Sequence, residues 1–223
     1  MFPVRGGARP GAGRKRTLPG KPRVSHHGRP MIQARFPLHV TARVRRDVTR
    51  LRRFELCKVL RRAFVYGCER GSFRICQFSI QGNHLHLVCE AADGRALARG
   101  MQGWAVRVAR GLNGYLGHKG TVFDDRYHAQ VLRTPTQTRN ALAYVLLNAR
   151  RHGEVVDPRW GGMDPFSSAW WFDGWRDAGW KSGLAPPEMK TVAEPASWLL
   201  REGWLRAQRG RLAIDEVPAA RSA

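Results

Sequence analysis

Acidic residues are scarce in this chain: 17 Asp and Glu stand against 39 Lys and Arg, a formal net charge of +22 over 223 residues. The shortage is steepest at the start, where residues 1–35 hold nine basic side chains and no acidic one. Such a surplus strains a compact chain by self-repulsion and attracts polyanions, so nucleic acid is the expected partner. Long apolar runs are missing too. No window approaches 18 uninterrupted apolar residues, so no spanning helix and no membrane partner are expected. The first residues lack the apolar stretch of a secretory signal, which leaves a cytoplasmic location as the simplest reading. Cysteine is sparse as well. Cys57, Cys68, Cys76 and Cys89 are widely spaced with no CxxC pair, indicating neither a disulfide framework nor structural zinc. They read as reduced, partly buried small hydrophobes.

What is present supports a folded domain. An apolar fraction of 43% can build a core and excludes a wholly disordered basic protein. The charge is uneven along the chain. Residues 1–150 contain 29 basic and seven acidic side chains, whereas residues 151–223 contain ten of each. The binding surface is therefore sought in the first two thirds. GGARPGAGRKR (residues 6–16) cannot bury enough apolar area to fold alone, so residues 1–34 read as a flexible basic leader. Its Arg5, Arg9, Arg14, Lys15 and Arg16 are expected DNA contacts, since Arg flanked by glycine fits a narrow minor groove.

Hydrophobic periodicity lays out the elements. Residues 35–44 alternate as a half-buried strand, with His39, Thr41 and Arg43 on the polar side. Asp47 or Thr49 can open a helix running to about Tyr66. Residues 73–81 and 84–90 form an antiparallel hairpin around Gly82 and Asn83. A helix over 95–116 carries an apolar stripe from Leu97 to Leu112. Its Arg95, Arg99, Arg107 and Arg110 lie mostly off that stripe and are candidates, with Arg43, for DNA backbone contacts. A short strand follows over 128–133, then a helix capped by Thr136 or Thr138 and reaching about Arg151. The order predicts an α+β fold, a split βαβ (ferredoxin-like) antiparallel sheet covered by helices. Residues 35–153 would form this domain. Residues 154–223, with seven of the eight tryptophans, read as an extension packed onto it by aromatic anchors.

The most informative stretch is GNHLHLVCE, residues 82–90. His84 and His86 share one strand face and can hold one ion, while Leu85, Leu87 and Cys89 face the core. Two structural histidines would produce the same pattern. On the last helix Tyr144 and Asn148 share a face four residues apart. Asn148 would add an oxygen donor, which favours Mg²⁺ or Mn²⁺ over zinc. An amphipathic-helix tyrosine with its hydroxyl at the rim is the plainer explanation of Tyr144. His39 and His128 read as surface histidines.

GNHLHLV resembles the His-hydrophobic-His signature of the HUH endonuclease superfamily. PLHVTARV (37–44), GTVFDDRYHAQVL (120–132), LAYVLLNARRHG (142–153) and DPFSSAWWFDGW (164–175) are similar to segments of the IS200/IS605-type transposases, especially their REP-associated tyrosine transposase branch. The resemblance spans about residues 35–175, and NARRHG lacks the proline that commonly follows the family asparagine. It implies a divalent ion, Mg²⁺ or Mn²⁺, held by His84 and His86 with Asn148 as third ligand. Tyr144 would then attack single-stranded, hairpin-containing DNA to leave a 5′-phosphotyrosyl link and a free 3′-hydroxyl. The protein would act as a monomer or homodimer. Two other readings compete: a single-strand-binding module without catalysis, and a metal-dependent nuclease whose nucleophile is water.

Overall fold

The computed structural model describes residues 31–65, 69–151, 160–177, 179–181, 184, 187 and 189–218. The leader contacts Arg5, Arg9, Arg14, Lys15 and Arg16, together with Cys68, lie outside the described residues. Within them the chain is α+β. Strands β1 (Leu38–Arg43), β2 (Glu69–Arg70), β3 (Phe73–Ile80), β4 (His84–Ala91) and β5 (His128–Val131) form one sheet in the order β2-β3-β4-β1-β5. Every pairing is antiparallel. Helix α1 (Phe54–Val65) joins β1 to the β2–β3 edge, and α2 (Gly94–Leu116) joins β4 to β5. Leaving the short β2 aside, this order is compatible with the expected split βαβ arrangement.

Alternation decides what each sheet face meets. Leu38, Val40, Ala42, Leu85, Leu87 and Cys89 are buried with α1 and α2 in one apolar cluster. Close approach of α2 to β3 needs Gly100, where a Cβ would collide with the buried ring of Phe73. Asp93 caps α2, accepting from the Ala96 amide at 2.7 Å, and Gly117 ends it in the left-handed region at φ 62°. The described cysteines, Cys57, Cys76 and Cys89, are buried free thiols, and burial pushes all three thiols up.

The opposite sheet face is covered too, which corrects the expectation of a half-buried first strand. Helix α3 (Pro135–Leu146) lies over it, and Leu142, Val145 and Leu146 pack with Val88 and Cys76. A bulge in β3 helps: Ile75 pairs with Cys89 but Gln77 with Val88, so Cys76 is the extra residue. It lets Ile75, Phe78 and Ile80 all reach the α1–α2 core.

Two boundaries differ from those read in the sequence. Helix α1 opens at Phe54 rather than near Asp47 or Thr49, because Leu51 donates to Gly82 and Arg52 forks onto Asp164 at 3.0 and 3.1 Å. Helix α3 is capped by Thr134, with Pro135 at its first position, rather than by Thr136 or Thr138. It also stops early. Leu147 leaves helical geometry at φ −114°, ψ 18°, and a separate turn, α4 (Asn148–Arg151), follows.

The Trp-rich segment is tied to β3 and α3. Ile80 donates to Phe166, and Ser168 donates from its amide to Phe78, so this stretch covers the outer edge of β3. Trp175 and Trp204 are buried beside Phe172 in the α3 cluster. Glu90, at the far end of β4, accepts from the Ala196 and Ser197 amides just before α5 (Trp198–Arg201). Arg139 on α3 is buried and forks onto Glu216 at 2.8 and 2.7 Å.

Gly100→Ala should cost about 1–3 kcal/mol of overpacking, read by urea denaturation. An unchanged midpoint would show that α2 can slide off Phe73. The hydrogen bond from Arg139 holds the Glu216 carboxyl below its ordinary value of 4.5. A depressed folded pKa gives stability that is present above the ordinary value and lost as pH falls through the folded one. The stability advantage of wild type over Glu216→Gln should therefore exist at neutral pH and vanish on acidification. An advantage independent of pH would remove the ion pair as its cause.

Candidate active site

Strand β1 sits between β4 and β5, so its residues at odd positions meet side chains from both neighbours. His39 stands opposite Val88 and Gln130, and Thr41 opposite His86 and His128. Arg43 stands opposite His84 at the strand end and is exposed. All project from the face that α3 covers. There His84 and His86 have ring centroids 4.7 Å apart, nearly perpendicular at 88°. The Tyr144 ring stands edge-on to His86 at 5.0 Å and 86°. Sequence positions 84, 86 and 144 are thus gathered on one side of the sheet.

His86 is 2% exposed, and its Nδ1 lies 3.2 Å from both His39 Nε2 and Thr41 Oγ1. His84 is half-buried, with Nδ1 3.0 Å from Asn83 Oδ1. His39 corrects the surface reading: it is 4% exposed and edge-on to Tyr144 at 5.6 Å. His128 is exposed, as expected. The guanidinium of Arg151 lies 5.3 Å from the Tyr144 ring centre, setting a positive charge beside the phenol. Beside Tyr144 and His39 opens a cleft of about 360 Å³, rimmed by Gln130, Asn140, Gln208 and Arg209.

Among the described residues, no three His, Cys, Asp or Glu side chains gather as a metal site. Asn148, expected from sequence as an oxygen donor, carries a carboxamide with that chemistry. It is fully buried at the first position of α4, and neither its carboxamide oxygen nor its nitrogen has a hydrogen-bond partner among the described residues. A buried carboxamide with nothing bound to it is costly. A hard cation taking the oxygen would remove half of that cost; a carboxamide oxygen suits Mg²⁺ or Mn²⁺, and of the two Mn²⁺ is the one that tolerates imidazole.

The candidate arginines of α2 lie elsewhere. Arg95, Arg99 and Arg110 are exposed, and Arg107 folds back on Gly103 O at 2.7 Å. Helix α2 packs on the other sheet face, so these four are separated from Tyr144 by the sheet. Thr41 and Arg151 were not singled out from sequence, and His39 was ranked a surface histidine above a group that approaches the site. The parity of His39 with Thr41 and Arg43 was the available signal, read wrongly because that face was taken to meet water.

The fold and the paired histidines define an α+β protein with a sheet-borne polar site under a helix. A solved structure shares that fold. The solved structure of a REP-associated tyrosine transposase bound to a REP hairpin matches with a TM-score of 0.52 at 19% identity, covering 78% of this chain and all of that one. No protein-family model matches the sequence, and no curated protein matches it. The likeness therefore rests on fold.

Asn148→Leu removes the two unsatisfied buried atoms while keeping volume. The metal-free variant should be more stable than wild type by about 1–3 kcal/mol, measured by denaturant titration. It should also lose any rise in thermal midpoint that Mn²⁺ gives wild type. A destabilised variant would mean that the carboxamide is satisfied and is no ligand.

Proposed function

We propose that this face binds single-stranded DNA and acts on it as a metal-dependent tyrosine endonuclease and strand transferase. What carries the reading is the convergence of His84, His86 and Tyr144 on one face, with the unsatisfied carboxamide of Asn148 four residues beyond the tyrosine. The matching transposase was solved with a REP hairpin, which supports a hairpin-containing strand as the substrate class.

His84, His86 and Asn148 would hold a divalent cation. When bound, it would neutralise charge on the scissile phosphate and polarise it. The residues of this chain do the rest. Arg151 and Arg43 draw the phosphodiester toward the phenol, and the half-buried ring of Tyr144 keeps the nucleophile in a fixed direction. Tyr144 Oη forms a bond to phosphorus as the bond to the 3′ oxygen breaks, and the phenol proton ends on that oxygen. The phosphotyrosyl ester conserves the energy of the broken link, so a 3′-hydroxyl can reverse the step on another end.

Judged by the metal centre alone, DNA binding without catalysis is the better supported reading, because no cluster of three strong ligands is formed among the described residues. That reading leaves the company of Tyr144 and Asn148 unexplained. The two separate cleanly. Labelled single-stranded hairpins, including sequence flanking the gene, are incubated with Mg²⁺ or Mn²⁺ and products are read by intact mass. The expected result is a protein–DNA adduct lost with EDTA and in Tyr144→Phe. Tight binding with no adduct under either ion would establish the binding module. Cleavage surviving Tyr144→Phe would make water the nucleophile.

A further inference from the structure

We propose that Phe54 and Trp160 form a stacking platform for an unpaired base of single-stranded DNA. The proposal rests on the reading of single-stranded DNA as the substrate, and it adds a base-binding element outside the catalytic set.

Trp175 and Trp204 pack inward, but Trp160 stays 37% exposed. Phe54, in the first turn of α1, is 54% exposed, while Leu56, Cys57 and Leu60 of the same helix are buried. Helix packing thus gives position 54 no need for an aromatic ring. Yet Phe54 meets Trp160 from a distant part of the chain, with ring centroids 6.2 Å apart and planes tilted by only 25°. Single exposed apolar residues are ordinary. Two large rings brought together and left facing water mark a binding patch.

The pair is braced from behind. The buried Phe166 ring lies 5.2 Å from Phe54, and the Arg52 guanidinium covers that ring at 4.6 Å while forking onto Asp164. Trp160 is set by a tight turn, in which Met163 donates to Trp160 O at 3.0 Å across Gly161 and Gly162, both left-handed at φ 60° and 78°. Rings held in place beforehand lose little freedom when a base stacks on them.

Both rings are fastened to segments of the candidate site. Leu51, three residues before Phe54, donates to Gly82 O at 2.8 Å, and His84 follows two residues after Gly82. Arg150, two residues after Asn148, donates to Gly162 O at 3.0 Å. The platform therefore lies at the end of the sheet where His84 begins β4. Charge selects its occupant. Residues 45–62 hold eight basic side chains and two acidic ones, with Arg50 and Arg53 exposed, a surface that attracts phosphates. A second copy docked through the same patch would set these like charges face to face. A strand of DNA instead offers a flat base to the rings and phosphates to the arginines, and every base has a face that can stack.

The test separates stacking from charge. Full-length protein in EDTA is titrated with a labelled oligothymidylate of about 12 nucleotides and with an abasic strand of equal length, read by fluorescence anisotropy. Wild type should prefer the base-bearing strand. Phe54→Ala and Trp160→Ala should each reduce that preference about 5–100-fold and leave affinity for the abasic strand unchanged. Phe54→Tyr and Trp160→Tyr, which keep a ring, should restore most of it, whereas Phe54→Leu, which keeps only apolar bulk, should not. A wild type indifferent to bases overturns the proposal, as does a preference that neither alanine variant moves. Dimers that dissociate in Trp160→Ala with the base preference intact would make the patch a protein interface instead. Should an alanine variant fail to fold, Phe54→Leu and Trp160→Leu decide. If wild type forms no tyrosyl adduct yet the variants lose the preference, the platform stands and the catalytic reading falls. An adduct together with an unmoved preference has the opposite meaning.

Discussion

The burial of the second sheet face under α3 is the constraint from which the rest follows. A strand in the middle of a sheet with one face in the core and one in water would carry His39, Thr41 and His86 as solvated side chains. Here α3 presses Leu142, Val145 and Leu146 onto Val88 and Cys76, and the polar residues beside that apolar patch lose their water. His39, Thr41 and His86 lie within hydrogen-bond distance in a row across β1 and β4. The same packing brings Tyr144 down onto His86.

One strand face of β4 serves three purposes in eight residues. His84 and His86 occupy the site end, Val88 packs with α3, and Glu90 accepts two amides from the segment before α5. The Trp-rich region is thus part of what holds α3 in place. Its ties run through Arg52 to Asp164, through Arg139 to Glu216, and along the outer edge of β3. A substitution there would reach Tyr144 by loosening the helix that carries it.

Charge is distributed differently from chemistry. The arginines of α2 stand across the sheet from the paired histidines, while Arg43 and Arg151 lie on the histidine side. The break at Leu147 also acquires a meaning. It ends α3 just before Asn148, so the carboxamide sits at the start of a new turn rather than in a continuous helix.

The strands, the two covering helices and the pairing of His84 with His86 were legible because alternation and helical spacing are local properties. The shared face expected for Tyr144 and Asn148 assumed one continuous helix, which the structure interrupts at Leu147. The bulge at Cys76, the cap at Thr134 and the burial of His39 were not legible. A bulge depends on the partner strand, and Thr134 competed with two equally good threonines until Pro135 is weighed. His39 looks like any polar residue on an alternating strand. Which face of that strand meets water is a matter of what packs against it, residues 100 positions away, and only the tertiary structure decides that.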